Sequence, residues 1–299
     1  MTSRAGKVDF TGVGWRSVEW TALCALYLRA CESRVPDSIL GDHFAAEAVQ
    51  RIDYDFDRIR RSTDPSDQFL VALHAMKFDA WTTDFLNRHP DAVVLHLGCG
   101  LDSRAFRLMR PPGVQWFDID LPKLIALRRK LYDDADGYRM IGMSVTDPGW
   151  LDEIPAEHPT LMVAEGLLPY LTEAENRQLF RRIIDRFSSG ERAFDVLPQW
   201  APRIVKLPAV VGDHHRAARE LLKWGIRDGR QIEQWNSRLR YLESTSVMTG
   251  YARIPLTPQR LLFRTLYAVP VIRNFDRLYR FSFWAEPAAV GHRQADGAV

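Results

Sequence analysis

Val93-Val94-Leu95-His96-Leu97-Gly98-Cys99-Gly100-Leu101-Asp102-Ser103-Arg104 is the stretch whose reading decides the fold. Four of its first five residues are apolar, the pattern of a strand buried on both faces. The run ends in Gly98-Cys99-Gly100, which lets the backbone turn tightly and approach a ligand closely. Ala105 to Leu108 read as the start of a helix, and Arg110-Pro111-Pro112-Gly113 stop it. Strand, glycine turn and helix form the opening unit of a nucleotide-binding α/β fold. As a dinucleotide fingerprint the turn is incomplete. Ser103 stands where G-x-G-x-x-G requires its third glycine, with Arg104 next to it.

A nucleotide ribose requires a carboxylate about 20 residues further on. Val114-Gln115-Trp116-Phe117-Asp118-Ile119-Asp120 reads as a second strand with two carboxylates at its end, and Leu121-Pro122 open a helix. Alternation puts Asp118 and Asp120 on the same side of that strand. Either can accept both ribose hydroxyl protons, and either can instead cap the helix. Glycine turn and acidic strand end together favour a nucleoside ligand.

The 299 residues suffice for a full α/β core, and 46% hydrophobic with 26% charged residues is an ordinary globular composition. With 40 basic and 38 acidic residues the net charge is +2, which gives no electrostatic case for nucleic acid. The first residues have no apolar signal core, and no apolar run approaches membrane-spanning length. Cys24, Cys31 and Cys99 form no C-x-x-C pair, so a reducing cytoplasm is expected, without a disulfide frame or a structural zinc.

Three stretches together resemble one family. "VVLHLGCGLDSRAFRL", "WFDIDLPKLIALRRKLY" and "LMVAEGLLPYLTEAE" are similar to the leucine carboxyl methyltransferase-like family, whose bacterial branch includes polyketide-synthesis O-methyltransferases of the tetracenomycin type. The resemblance spans roughly residues 15 to 285. It implies a class I methyltransferase, Rossmann-like and doubly wound, with a sheet of about seven strands whose last strand is antiparallel. It also implies an N-terminal helical lid over residues 1–90, a core over 91–290 and a flexible tail over 291–299. S-adenosylmethionine is the implied cofactor, cradled by Gly98, Cys99 and Gly100.

The motifs assign further residues by the same resemblance. Asp120, with Asp118 as its competitor, matches the ribose acid. Ser144 and Val145, after a third strand at Tyr138–Met143, match the adenine end. Lys77, on a long helix opened by Asp64-Pro65-Ser66-Asp67, looks like the basic residue that binds the donor's carboxylate, where the family often has arginine. By its own spacing Lys77 also reads as a solvated lysine at the edge of an apolar stripe. Thr21 and Arg29, on a first helix over residues 17–33, match positions bordering the active site.

Thr160 to Ala164 read as a fourth strand beside the first, across the switch point, so Glu165-Gly166 faces the ligand. A glutamate there is costly to bury without a partner. Glu165 is read as a catalytic-site carboxylate facing the donor's ammonium or sulfonium, and Tyr170 as lining the substrate side. Lys123, Arg128, Arg129 and Lys130 read as a solvated helix face. Asp213 to Trp224 read as a helix bearing His214 and His215, which point to different sides. Trp200, Trp224, Trp235 and Met248 are pocket candidates that read better as core.

The implied reaction is methyl transfer to an oxygen of a small-molecule acceptor. The chain aligns donor and acceptor and excludes water. No metal-ligand set and no nucleophile triad stands out. A carboxyl acceptor requires no general base, whereas a hydroxyl does. A nicotinamide-dependent oxidoreductase and a non-catalytic cofactor-binding protein are the alternatives. The missing third glycine and Glu165-Gly166 weigh against the first.

Overall fold

The computed structural model describes residues 6–15, 17–204 and 222–284. The expected helix with His214 and His215, and the tail from 291, lie outside the described residues. The chain begins with β1 (Val8–Asp9), α1 (Val18–Glu32), α2 (His43–Arg51), β2 (Ile52–Asp53), α3 (Phe56–Arg60) and α4 (Asp67–Arg88). It continues through β3 (Val93–Leu97), α5 (Arg104–Arg107), β4 (Gln115–Asp120), α6 (Pro122–Arg128), β5 (Tyr138–Gly142) and β6 (Thr160–Ala164). The last described part holds α7 (Glu173–Arg186), β7 (Ser189–Val196), α8 (Ala201–Ile204), β8 (Leu239–Ser246), α9 (Thr257–Ala268), α10 (Pro270–Arg273) and β9 (Arg277–Trp284). Among the described residues no helix is long and apolar enough to cross a membrane.

Seven strands form one sheet in the order β5-β4-β3-β6-β7-β9-β8. The first five are parallel. β9 pairs antiparallel with β7, and β8 pairs antiparallel with β9 at the edge. The expected doubly wound sheet with antiparallel closure is therefore present. β3 lies at the switch point, flanked by β4 and β6, so the glycine turn, Asp120 and Glu165 all leave the sheet at neighbouring strand ends.

Every residue of β3 and of β6 is buried, which explains their unbroken apolar runs. Val93, Leu95 and Leu97 face α7, where Leu179, Phe180, Ile183 and Ile184 cover the sheet. Val94, Leu161, Val163 and Ala193 face α4, packed under Phe69, Leu73, Phe78, Trp81 and Phe85. A separate cluster joins α1, α2 and α3 through Trp20, Leu23, Leu26, Val49 and Ile59. Thr172 and Glu175 close the capping box that starts α7. Asp42 caps α2 by accepting the Ala45 N–H at 2.9 Å.

One expectation about charge is corrected here. Arg128 is not part of a solvated face; it is fully buried and paired with Asp118, while Lys123, Arg129 and Lys130 are exposed. Arg192 is also fully buried, between the rings of Phe180 and Phe283, at 4.8 and 4.5 Å from their centroids. Its Nε and one terminal nitrogen have no hydrogen-bond partner, and burial, with the charge of Arg238, pulls it down to about 9.

The two arginines are expected to respond oppositely to one substitution. Arg128→Met strands the Asp118 carboxylate in the core and should cost about 3–5 kcal/mol. Arg192→Met strands no carboxylate among the described residues and should be neutral or raise the melting temperature. Urea unfolding of both variants checks this. A larger loss at Arg192 than at Arg128 would contradict it.

Candidate active site

A cavity of about 550 Å³ opens at the carboxyl ends of β3, β4 and β6, beneath α1. Its floor is the glycine turn. Gly98 and Gly100 both have positive φ, at 63° and 51°, which explains the residue type at each. A Cβ on Gly98 would lie 3.0 Å from the Leu167 side chain, and one on Gly100 would lie 3.3 Å from Ala22. The close approach at both positions is therefore to the chain itself. Cys99 also lines the cavity, and burial holds its thiol well above the ordinary range.

Asp120 lies at one end. One of its oxygens accepts the Gly100 N–H and the other the Leu121 N–H, both at 2.7 Å. Each oxygen keeps a lone pair for a further donor. Burial raises its pKa, the two N–H groups pulling the other way. Ser144 and Val145 line the same end, next to Leu121 and Leu124.

Glu165 lies at the other end. Its carboxylate receives Arg29 at 3.0 Å, Arg104 in a close ion pair, and His74 Nδ1 at 3.5 Å. Burial opposes the charge, but Arg104 and Arg29 outweigh it and hold Glu165 well below the usual carboxylate range. Gly166 follows with φ of 65° and open space where a Cβ would stand. Tyr170, Leu167 and Leu171 form the adjoining wall, with Thr21 and Lys223 opposite or at the rim of the same cavity. Burial lifts the Tyr170 hydroxyl to about 12.

Beneath the cavity lies a lattice of buried ions. Arg104 is fully buried. Its Nε donates to Asp79 on α4 at 2.7 Å, one terminal nitrogen lies 3.2 Å from His96 Nε2 and 3.3 Å from Asp102, and the other meets Glu165. Arg107 joins Asp79, Asp102 and Asp42, and Ser103 donates to Asp42 at 2.6 Å. Arg104 thus carries the side chain that binds α4, the glycine turn and the end of β6 together.

Two sequence expectations fail. Asp118 does not line the cavity. It is completely buried and takes Trp116 Nε1 at 2.9 Å, His96 at 3.0 Å, Tyr138 Oη at 2.6 Å and Arg128, which leaves it no capacity for a ribose. Burial opposes its charge, but Arg128 and His96 hold it down at about 2. Lys77 does not reach the cavity either. Its ammonium stacks 4.6 Å from the Trp81 ring and pairs with Glu243 at 3.5 Å on β8. Arg29 of α1, one of the two first-helix positions named above, does line the cavity, as does Lys223.

The tryptophan candidates are resolved as well. Trp224 is buried, Trp235 packs on Phe180, and Met248 packs in the cluster under α4. Trp200 lines a second cavity between β7 and α10. Sequence reasoning missed His74, His96, Asp79, Asp102 and Arg104. A signal was present for the α4 pair: His74 and Asp79 interrupt a helix otherwise buried through Phe69, Leu73, Phe78 and Trp81. His74, Asp195 and Asp276 offer ligand atoms within 4.8 Å of one another, a grouping that no spacing in the sequence announced.

Comparisons with known proteins give the family. The family model described as leucine carboxyl methyltransferase matches residues 22–184. The tetracenomycin polyketide synthesis O-methyltransferase TcmP of Streptomyces glaucescens is 42% identical over 267 residues, covering 89% of this chain and 97% of that protein. The S-adenosyl-L-methionine-dependent methyltransferase dpfgK of Gibberella zeae is 34% identical, covering 83% and 87%. A crystallised protein from Thermobifida fusca YX, assigned as a methyltransferase, superposes with a TM-score of 0.55 at 15% identity, covering 87% and 94%, which establishes likeness of fold.

Arg104→Gly is expected to lower stability by about 3–5 kcal/mol, because Glu165, Asp79 and Asp102 lose a shared partner inside the protein. Chemical denaturation checks this, and an unchanged midpoint would contradict the role given to the lattice.

Proposed function

The chain belongs to the leucine carboxyl methyltransferase family, and from that premise we propose how its cavity works as a methyl-transfer site. It is an S-adenosylmethionine-dependent methyltransferase of small molecules. The proposed setting is cytoplasmic secondary metabolism of the polyketide type, as the name of the Streptomyces relative suggests. The acceptor oxygen is a carboxyl or a hydroxyl.

The residues fit the donor's chemistry from end to end. Asp120 has free lone pairs for both ribose hydroxyls. Leu121, Leu124 and Val145 offer apolar surface to the adenine, and the Ser144 hydroxyl a polar contact. Arg29 meets the donor's carboxylate with a guanidinium that can bind it bidentately. Glu165 meets the ammonium. When bound, S-adenosylmethionine supplies an electrophilic methyl on a sulfonium. The chain's work is to align acceptor and methyl, and to exclude water. The volume of about 550 Å³ lies in the range of small-molecule sites. Residues 1–90 act as a lid in this reading, with α1 over the cavity and α4 as its hinge-side anchor.

The carrying observation is that Asp120 and Glu165 stand in one cavity on either side of the glycine turn. A second observation favours a carboxyl acceptor. His96 spends both ring nitrogens on Asp118 and Arg104. His74 faces Glu165 with Nδ1, and the neighbouring carboxylates keep its imidazole protonated at neutral pH. Tyr170 keeps its proton at neutral pH. None of these is placed to take a proton from a hydroxyl, and a carboxylate has none to give.

Two tests follow. Asp120→Ala should weaken S-adenosylhomocysteine binding by about 1.5–3 kcal/mol with the fold kept, whereas Asp118→Ala should show its loss in stability first. Lys77→Ala should leave binding unchanged and Arg29→Ala should weaken it, both read by calorimetry. For the acceptor, enzyme and methyl-labelled donor are incubated with aromatic acids and phenols. Label released as methanol by mild alkali marks an ester and supports the carboxyl reading. Label stable to alkali marks an ether and refutes it.

A further inference from the structure

Three strand ends deliver three carboxylates to a single imidazole. Glu165 follows β6, Asp195 lies in β7 beside it, and Asp276 immediately precedes β9. The imidazole is His74, from the middle of α4. Its Nδ1 lies 3.5 Å from Glu165 Oε1. One atom each of His74, Asp195 and Asp276 lie within 4.8 Å of one another. His74 Nε2 and Asp276 Oδ1 are buried and have no hydrogen-bond partner, so each calls for a group that satisfies it. Asp195 is itself held by the Gly166 N–H at 2.6 Å, so its position is tied to the loop that carries Glu165.

We propose that His74 is the positioning residue of the donor site: its imidazole, set among Glu165, Asp195 and Asp276, fixes α4 to the strand ends and orients the Glu165 carboxylate toward the donor's ammonium. The inference rests on the reading that Glu165 receives that ammonium. It assigns to His74 the tie between α4 and the donor site that Lys77, paired with Glu243 on β8, does not make. The charged groups facing the imidazole are Glu165 from β6, Asp195 from β7 and Asp276 from the β9 approach. Beyond Glu165 stand Arg29 from α1 and Arg104 from α5. Phe78, one turn along α4, packs on the ring edge to face at 5.3 Å.

The electrostatics support the charged form. Burial opposes it, yet Asp276, Glu165 and Asp195 together lift His74 to about 9. Burial lifts Asp195 to about 7 and raises Asp276, so the cluster holds on to protons. An ammonium arriving at Glu165 is a second positive charge next to the first. It drives a proton from His74 to solvent in the window below about 9, and a ligand that releases a proton binds more tightly as pH rises.

The test measures S-adenosylhomocysteine affinity by calorimetry between about pH 7 and about pH 9, where one released proton gives at most about tenfold per pH unit. The wild-type affinity is expected to rise across this interval, and His74→Gln is expected to lose the rise and to increase the donor KM with little change in kcat. Asp276→Asn keeps both His74 and Glu165, folds independently of the first variant, and should move the rise to lower pH. Superimposable profiles for wild type and Asp276→Asn, or for wild type and His74→Gln where that variant folds, overturn the proposal. Glu165→Gln separates the premises. If it binds normally, the ammonium reading and the His74 role both fall. If it binds weakly while the profiles coincide, only the His74 role falls.

Discussion

The buried Arg104 guanidinium is the interaction on which the rest of the structure depends. It is sealed from solvent and touches α4 through Asp79, the glycine turn through Asp102, β3 through His96 and the end of β6 through Glu165. A charge this deep is costly unless the hydrogens it presents find acceptors. The acceptors therefore fix Arg104, and Arg104 fixes the relative placement of the elements that supply them. The cavity is the space left between those elements once the lattice is satisfied.

The same constraint separates two carboxylates that look alike. Asp118 and Asp120 are two residues apart, on one face of β4. Asp118 lies level with His96 across the parallel pair, deep enough that Trp116, Tyr138 and Arg128 close around it. Asp120 lies one step nearer the strand end, where backbone N–H groups hold its position and leave it open to the cavity. The rise of two residues along a strand, roughly 6.6 Å, is the distance between a core ion pair and a candidate ligand group.

The N-terminal helices divide by what they bury. α4 covers one face of the sheet with the same kind of apolar stripe that α7 presents to the other, so it belongs to the packed layers. α1 to α3 have their own cluster and lie over the strand ends. Polar residues in α4 mark where these two roles meet: Asp79 faces Arg104, His74 faces Glu165, and Lys77 turns outward to Glu243. An amphipathic count along the helix does not distinguish these three, because each lies near the edge of the buried stripe and its partner is supplied by a strand far away in sequence.

The sequence by itself determined the sheet, its switch point and the cradle. Those features rest on local signals: a buried strand reads as an apolar run, positive φ demands glycine, and a capping box starts a helix. Spacing and strand order also brought Asp120, Glu165 and Tyr170 to attention, and the family resemblance added Ser144 and Val145. Which cation enters the cavity, which aspartate is structural, and what stands behind Glu165 were decided only by the tertiary structure. Arg29, Asp118 with Arg128, and His74 with Asp195 and Asp276 are matched across long stretches of chain. Such pairs form because burial makes an unpaired charge intolerable, and burial is a property of the assembled fold that no single stretch of sequence contains.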